Sequence, residues 1–319
     1  VNKEQDIRNL LKKQERRIRR LFDLAMKEYR GTISLSVLED FISRGDILGA
    51  LGQIEAVAIA VANASTAAFI EAATATSAYI HSRNVVTVGF DAQNARAVES
   101  MQRARLSFIQ SFTDQQRRAT QLALSTGIAE GKGPRELARA FRASIGLTEH
   151  QQLAVQNYRK LLQRIGADDV PTRAQREALT RKLRDKRFDR TIRRALRGEK
   201  TLTSAEIENM VERYRQRSLA YRAVTIARTE ALHAVHDGQN NAIDEAILSG
   251  AVNEDDIVYQ WLTGQDGRQR DPHQELHKTK RAHGEPWENS LGTIFYPGDK
   301  SAVAGNVINC RCIRTLRIK

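Results

Sequence analysis

The chain has 319 residues, with 51 Lys and Arg against 38 Asp and Glu, a net charge of +13 and a pI near 10.0. At roughly 100–200 residues per domain there is room for two or three domains. The 41% hydrophobic and 6% aromatic content rules out a chain too polar to fold and points to Ala, Leu, Ile and Val cores of the helix-on-helix kind. Such a charge speaks about partners rather than fold, and the counter-surface it suits is anionic: nucleic acid, an acidic protein ring or anionic lipid. Two cysteines, both in one Cys-x-Cys, exclude a secreted disulfide scaffold. The charged amino end lacks an apolar run followed by a cleavage site, so no signal peptide is expected.

Residues 4–30 read as an amphipathic helix, with Ile7, Leu10, Leu11, Ile18, Leu21, Phe22 and Leu24 at helical spacing. Lys12, Lys13, Arg16, Arg17, Arg19 and Arg20 crowd its other side, either as a solvated face or as a dock for an acidic surface. Gly31 ends it, and a short helix follows over 34–42. From Asp46 to Ile80 the pattern is helical and rich in small residues, among them Ala58, Ala62, Ala68 and Ala72, which let a neighbouring helix come close. The apolar run Ala56–Ile70 within it is shorter than the ~18–20 residues of a spanning helix, so a buried helix is expected and no membrane partner. Residues 85–90, Val-Val-Thr-Val-Gly-Phe, break the pattern as a strand or a pinned loop. Helix returns over 92–130 and stops at Gly131-Lys132-Gly133-Pro134. Pro134 suits a helix start, and Thr148 with Gln151 spells a capping box for a helix to Ile165.

Residues 171–200 carry twelve Lys and Arg against four acids, a surplus of eight. Leu179, Leu183, Phe188, Ile192 and Leu196 give the stretch one apolar side. Arg181, Arg184, Arg187, Arg190, Arg193 and Arg194 are the candidate contacts to DNA phosphates or an acidic protein surface, with a solvated charged face as the alternative. Only Phe188 is aromatic, so stacking of single-stranded bases is not indicated. Thr203 or Ser204 caps a long helix through Tyr221 that continues or bends into 224–248, where Gly250 ends it.

Beyond Gly250 the period changes. Residues 256–262 read as a strand, a short Pro-initiated helix carries His273 and His277, and further strands are expected at 293–296 and 306–318. His273 and His277 stand four apart on one helical face, and Cys310 and Cys312 two apart on one face of a strand. Together they could make a tetrahedral zinc site, and a three-ligand version with Asp266 or Asp271 stays open. Alternatively the cysteines pack as small apolar residues and His273 hydrogen-bonds within its loop. Asp266, Asp271 and His273 around a divalent ion could also position water for phosphodiester hydrolysis, although no nucleophile motif or phosphate-binding loop accompanies them.

The order Ala227-Arg228-Thr229-Glu230, Trp261-Leu262-Thr263, Asp266-Gly267-Arg268, Tyr296-Pro297-Gly298-Asp299 and Asn309-Cys310-Arg311-Cys312 resembles the phage Mu F-like family, the head morphogenesis or minor capsid proteins of tailed phages. The resemblance spans the last ninety or so residues, with a weaker likeness over 131–162. It implies a non-enzymatic minor head protein, assembled in the host cytoplasm and carried in the virion at the portal vertex or capsid interior. Its work would be head assembly, DNA packaging or DNA delivery, with the portal protein, capsid or scaffold proteins, double-stranded DNA and other copies of itself as partners. The alternatives are a metal-dependent nuclease and a delivery module of the kind joined to toxin domains, and with seven residues after Cys312 no toxin is expected. The fold class read from this is mainly α: a helical docking or oligomerisation region over 1–150, a basic helical segment over 151–222, and a small α+β module over 223–319. Arg228, Glu230, Trp261, His273, Asp266, Tyr296, Pro297, Asn309 and Cys310 are its expected framework.

Overall fold

A computed structural model describes residues 4–46, 49, 51, 54–83, 89–165, 177–264 and 266–319. The fold is mainly α, with a small α+β module at the carboxyl end. In chain order the helices are α1 (Glu4–Thr32), α2 (Leu35–Ser43), α3 (Ile54–Arg83), α4 (Ala95–Ala129), α5 (Pro134–Ser144), α6 (Glu149–Arg164), α7 (Asp189–Leu196) and α8 (Ser204–Leu248). Then follow β1 (Ile257–Leu262), α9 (Asp271–Gln274), β2 (Lys280–Ala282), β3 (Trp287–Asn289), β4 (Gly292–Ile294), α10 (Ala304–Val307) and β5 (Ile313–Ile318).

The chain forms two compact units, and both are discontinuous in sequence: residues 1–25, 56–110 and 223–319 make one, 26–55 and 111–222 the other. The expected boundary at 223 is where the chain re-enters the first unit. The expected region 1–150, by contrast, is divided between the two. Its helices are amphipathic or small-residue segments that sort by the core they bury in, a choice that periodicity does not encode.

In the first unit the predicted face of α1 buries Ile7, Leu10, Leu11, Ile18 and Phe22, with Leu21 half-buried and Gln14 buried beside them. Leu24 departs from it and is exposed, because its angular position falls among the cations. Helix α3 is long and apolar enough to cross a membrane, more than the expected run of 56–70. Half of its most apolar stretch is buried inside the protein, with Val57, Ala58, Val61, Ala62, Ala68, Ala72 and Ala73 in the core. The small residues do what their size suggests. A Cβ on Gly238 of α8 would lie 2.4 Å from the Phe69 carbonyl oxygen of α3, so the two backbones are nearly in contact there.

Three strands pair antiparallel in the order β2-β1-β5, with Tyr259 opposite Leu316 and Arg281, and Leu262 opposite Ile313. Strands β3 and β4 form a separate hairpin with Trp287 opposite Ile294. One face of the sheet closes a core of Leu232, Val235, Ile243, Tyr259, Trp261, Leu276, Trp287, Ile294, Cys310, Cys312 and Leu316. The Trp261 and Trp287 rings meet edge to face with centroids 5.2 Å apart, an arrangement that places a positive ring edge on a negative face.

In the second unit the capping signals act as spelled. Thr148 Oγ1 accepts from the Gln151 N–H at 3.2 Å, and Gln151 Oε1 accepts from the Thr148 N–H at 3.1 Å. The long helix α8 is capped by Thr203 rather than Ser204: its Oγ1 accepts from Glu206 N–H, while Glu206 Oε2 accepts from the Thr203 N–H. Arg222 is buried, donating to the Gly146 carbonyl at 2.8 Å and lying 4.7 Å from the Phe112 ring centroid. Burial lowers its pKa to about 10.

The basic stretch is not one helix. Residues 177–180 are helical, Leu183 takes a left-handed φ of 66°, a 3-10 turn covers Lys186–Phe188, and α7 follows. Asp185 makes the break, since its side chain accepts from the Arg187 N–H and caps the turn. The 85–88 segment lies outside the described residues, as do Arg173 and Arg176 at the start of the basic stretch.

Candidate functional site

Five sequence pieces scattered over ninety residues are tied to α8 and to one another by a chain of contacts. Arg228 of α8 donates through Nη1 to Asn309 Oδ1, and Thr229 Oγ1 accepts from the Asn309 N–H at 3.0 Å. Asn309 sits at φ 59°, a left-handed conformation that asparagine tolerates better than most residues. Helix α8 thus holds the turn that delivers Cys310 and Cys312. Arg311 between them points the other way, its Nε 3.4 Å from Asp266 Oδ2. Glu230 is buried and accepts from Lys300 Nζ at 2.9 Å.

The Tyr296-Pro297-Gly298-Asp299 turn packs on the same helix. Gly298 has φ 93°, and a Cβ there would lie 2.7 Å from His233 N, so a side chain is excluded twice over. His233 donates from Nδ1 to the Gly298 carbonyl at 3.1 Å. Asp299 closes the turn by accepting from the N–H groups of Phe295 and Ser301 at 3.0 and 2.8 Å. Pro297 is buried behind it.

Beside this turn lies a buried polar network that periodicity does not single out. His236 donates from Nδ1 to Gln239 Oε1 at 2.8 Å, while its Nε2 meets no partner among the described residues. Asp237 accepts from Ser100 Oγ at 2.5 Å and from the Tyr296 hydroxyl at 3.4 Å. Arg314 of β5 donates to Asn240 Oδ1 and lies 4.1 Å from the Tyr259 ring centroid. Burial sets the protonation here. It pushes the His236 pKa down to about 3, with the Arg314 charge adding to the shift, and it pushes His233 well down and Asp237 up. Both histidines are therefore neutral, held as hydrogen-bonding spacers. The spacing of His233, His236 and Asp237 along one helix was the signal available, but histidine on a helix is more often a core residue.

His273, Cys310 and Cys312 converge. The three are 1%, 3% and 2% exposed. His273 Nδ1 lies 3.4 Å from each sulfur. Its Nε2 faces Asn306 Oδ1 at 3.1 Å. The N–H of Cys312 donates to Cys310 Sγ at 3.4 Å. A hydrogen bond from Cys312, with burial opposing and His273 assisting, holds the Cys310 thiol well below the usual range, and the same bond pushes Cys312 up.

His277 does not join them. Helix α9 ends at Gln274, so the two histidines share no helical face, and His277 Nδ1 instead accepts from the Thr263 N–H at 3.2 Å. The cysteines precede β5 rather than lying in it, although the alternation that buries both and turns Arg311 away is the one a strand would give. The three-ligand variants with a carboxylate do not assemble either: Asp266 sits on Arg311, and Asp271 is exposed at the start of α9. With His273 sealed in the core, Asp266, Asp271 and His273 do not share a water-accessible face.

A family model described as phage Mu protein F like protein matches residues 118–315. The chain belongs to this phage head morphogenesis family. No curated protein and no solved structure matches the chain. The Mu F-like match covers more than the carboxyl-terminal module: it begins in α4 and takes in α5, α6, α7 and all of α8. It reaches about three-fifths of the chain, against the third or less that the five motifs span. Outside the module, the weaker likeness over 131–162 also falls within the matched residues.

The six arginines divide. Arg181 is spent inside its unit, donating to the Ala154 carbonyl at 2.9 Å, pairing with Glu177 and lying 5.6 Å from the ring centroids of Tyr158 and Tyr214. Arg184 grips Asp189 with two bonds of 3.0 Å. Neither guanidinium faces out to meet a phosphate. Arg187 is exposed while chelating Asp185. Arg190, Arg193 and Arg194 are exposed on α7, Arg194 within 3.5 Å of Glu199.

Proposed function

We propose that this protein is a minor head protein of a tailed phage, carried in few copies at the portal vertex or capsid interior, and that it acts in head assembly, DNA packaging or DNA delivery by binding rather than by catalysis. Membership of the Mu F-like family over 118–315 carries this reading. The partners it implies are the portal protein, capsid or scaffold proteins and other copies of the chain. Quantitative mass spectrometry of nuclease-treated, gradient-purified virions and procapsids tests it. A few to a dozen copies in virions supports a resident head protein, and presence in procapsids alone supports an assembly factor. Absence from both overturns the proposal.

Double-stranded DNA is the anionic partner the net charge of +13 favours. The exposed guanidinium groups on α7 are the groups to test. Replacing Arg190, Arg193 and Arg194 together by Gln should weaken binding to any duplex sequence and lower the slope of log affinity against log salt by about 3, close to one for each phosphate no longer neutralised. An unchanged slope would make α7 a solvated face or a protein dock.

A further inference from the structure

We propose that His273 Nδ1, Cys310 Sγ and Cys312 Sγ bind a zinc ion that ties the carboxyl-terminal turn to α9. Their donor atoms all lie within 4.8 Å of one another. Zn–S bonds of about 2.3 Å and a Zn–N bond of about 2.0 Å at tetrahedral angles place sulfur and nitrogen roughly 3.5 Å apart. Both Nδ1-to-sulfur distances here are 3.4 Å, the edges of such a tetrahedron.

The surroundings favour the ion as well. Asn306 Oδ1 can only accept, and it also takes a bond from Asn289 Nδ2 at 3.1 Å. It therefore requires the proton on His273 Nε2 and leaves the Nδ1 lone pair directed at the sulfurs. This is the arrangement of a metal-bound histidine whose other nitrogen is held by an outer-shell acceptor. The Cys312 backbone N–H donates to Cys310 Sγ at 3.4 Å, the outer-shell contact that supports a metal-bound sulfur. Two cysteine sulfurs and an imidazole, all three buried, form a soft donor set suited to zinc. Among the described residues no fourth His, Cys, Asp or Glu completes the set, so the remaining position belongs to a small ligand such as water. The ion would bridge residues almost forty positions apart in sequence, so its binding energy would stabilise the folded module directly.

The test uses the full chain, expressed with zinc, passed over a metal-free sizing column and analysed for all first-row metals. About one zinc per chain is expected, and cobalt substituted for zinc should give thiolate-to-cobalt charge-transfer absorption in the near ultraviolet with ligand-field bands in the visible. His273→Gln, Cys310→Ser and Cys312→Ser should each lose the metal, whereas His277→Gln should keep it. Because the first three variants could unfold, the deciding measurement is on the unaltered chain: a strong zinc chelator should lower its melting temperature and addition of zinc should restore it. A folded wild-type chain that emerges metal-free after zinc loading overturns the proposal. So does zinc retained by the Cys310→Ser/Cys312→Ser double variant, or a different metal in its place. None of these readings depends on whether the protein is found in virions.

Discussion

Replacing Trp261 by alanine is expected to lower the unfolding free energy by about 3–5 kcal/mol, the range for truncating a large aromatic in a packed core. The indole is fully buried on β1, edge to face with Trp287 at 5.2 Å and with the His273 ring at 5.7 Å. It stands between the hairpin β3–β4 and the loop carrying Cys310 and Cys312, so the cavity left behind has rigid walls on several elements and cannot collapse cheaply. Denaturant unfolding followed by far-ultraviolet circular dichroism measures the loss. Leu24→Ala supplies the comparison, because that side chain is half exposed on α1 and its removal should change stability by less than about 0.5 kcal/mol. Equal effects at the two sites would contradict the core described for the module.

Much of the module was legible because its constraints are local or chemically peculiar. A left-handed Asn309 and a glycine facing a helix backbone at Gly298 each demand particular residues, and those residues stand in the sequence, as does the capping box at Thr148 in the second unit. The division of the helices between two units was not legible, since Ile18 and Met26 satisfy the same amphipathic rule in α1 while belonging to different units. The arginines of 181–194 show the limit of reading charge by count. Arg181 and Arg194 look alike in sequence, yet one is enclosed by two tyrosines and the other faces solvent. The turn at Asp185, not composition, decides between them. His273 and His277 present the same problem for spacing, because four residues bring two side chains together only while the helix lasts, and α9 lasts one turn.

The protein should lose stability as pH falls from about 6.5, a loss traceable to α8. His236 is buried and neutral, with its pKa pushed down to about 3 by burial and by Arg314. An unfolded histidine titrates near 6.5. Above that pH both states hold the imidazole neutral and the group makes no difference. Below it the unfolded chain takes up a proton that the folded chain refuses, so stability falls by about 1.4 kcal/mol per pH unit for this residue. The loss continues until the folded pKa is reached. His233 is shifted the same way by burial and the Lys300 charge, so its loss adds. Asp237 opposes them in the lower part of the window: its carboxyl is raised by burial, so the folded state binds its proton first and gains stability as that group titrates. The His236 contribution to the slope therefore reaches nearly its full value about one pH unit below 6.5. Denaturant midpoints measured at half-unit intervals from pH 7 to pH 5 would give the slope. The His236→Gln variant should start less stable, for want of a hydrogen bond matched to Gln239, but its slope should be smaller by about one proton. A variant slope equal to the parent's would mean that His236 is solvated in the folded protein, and the enclosed network around Tyr296 and Arg314 would have to be abandoned.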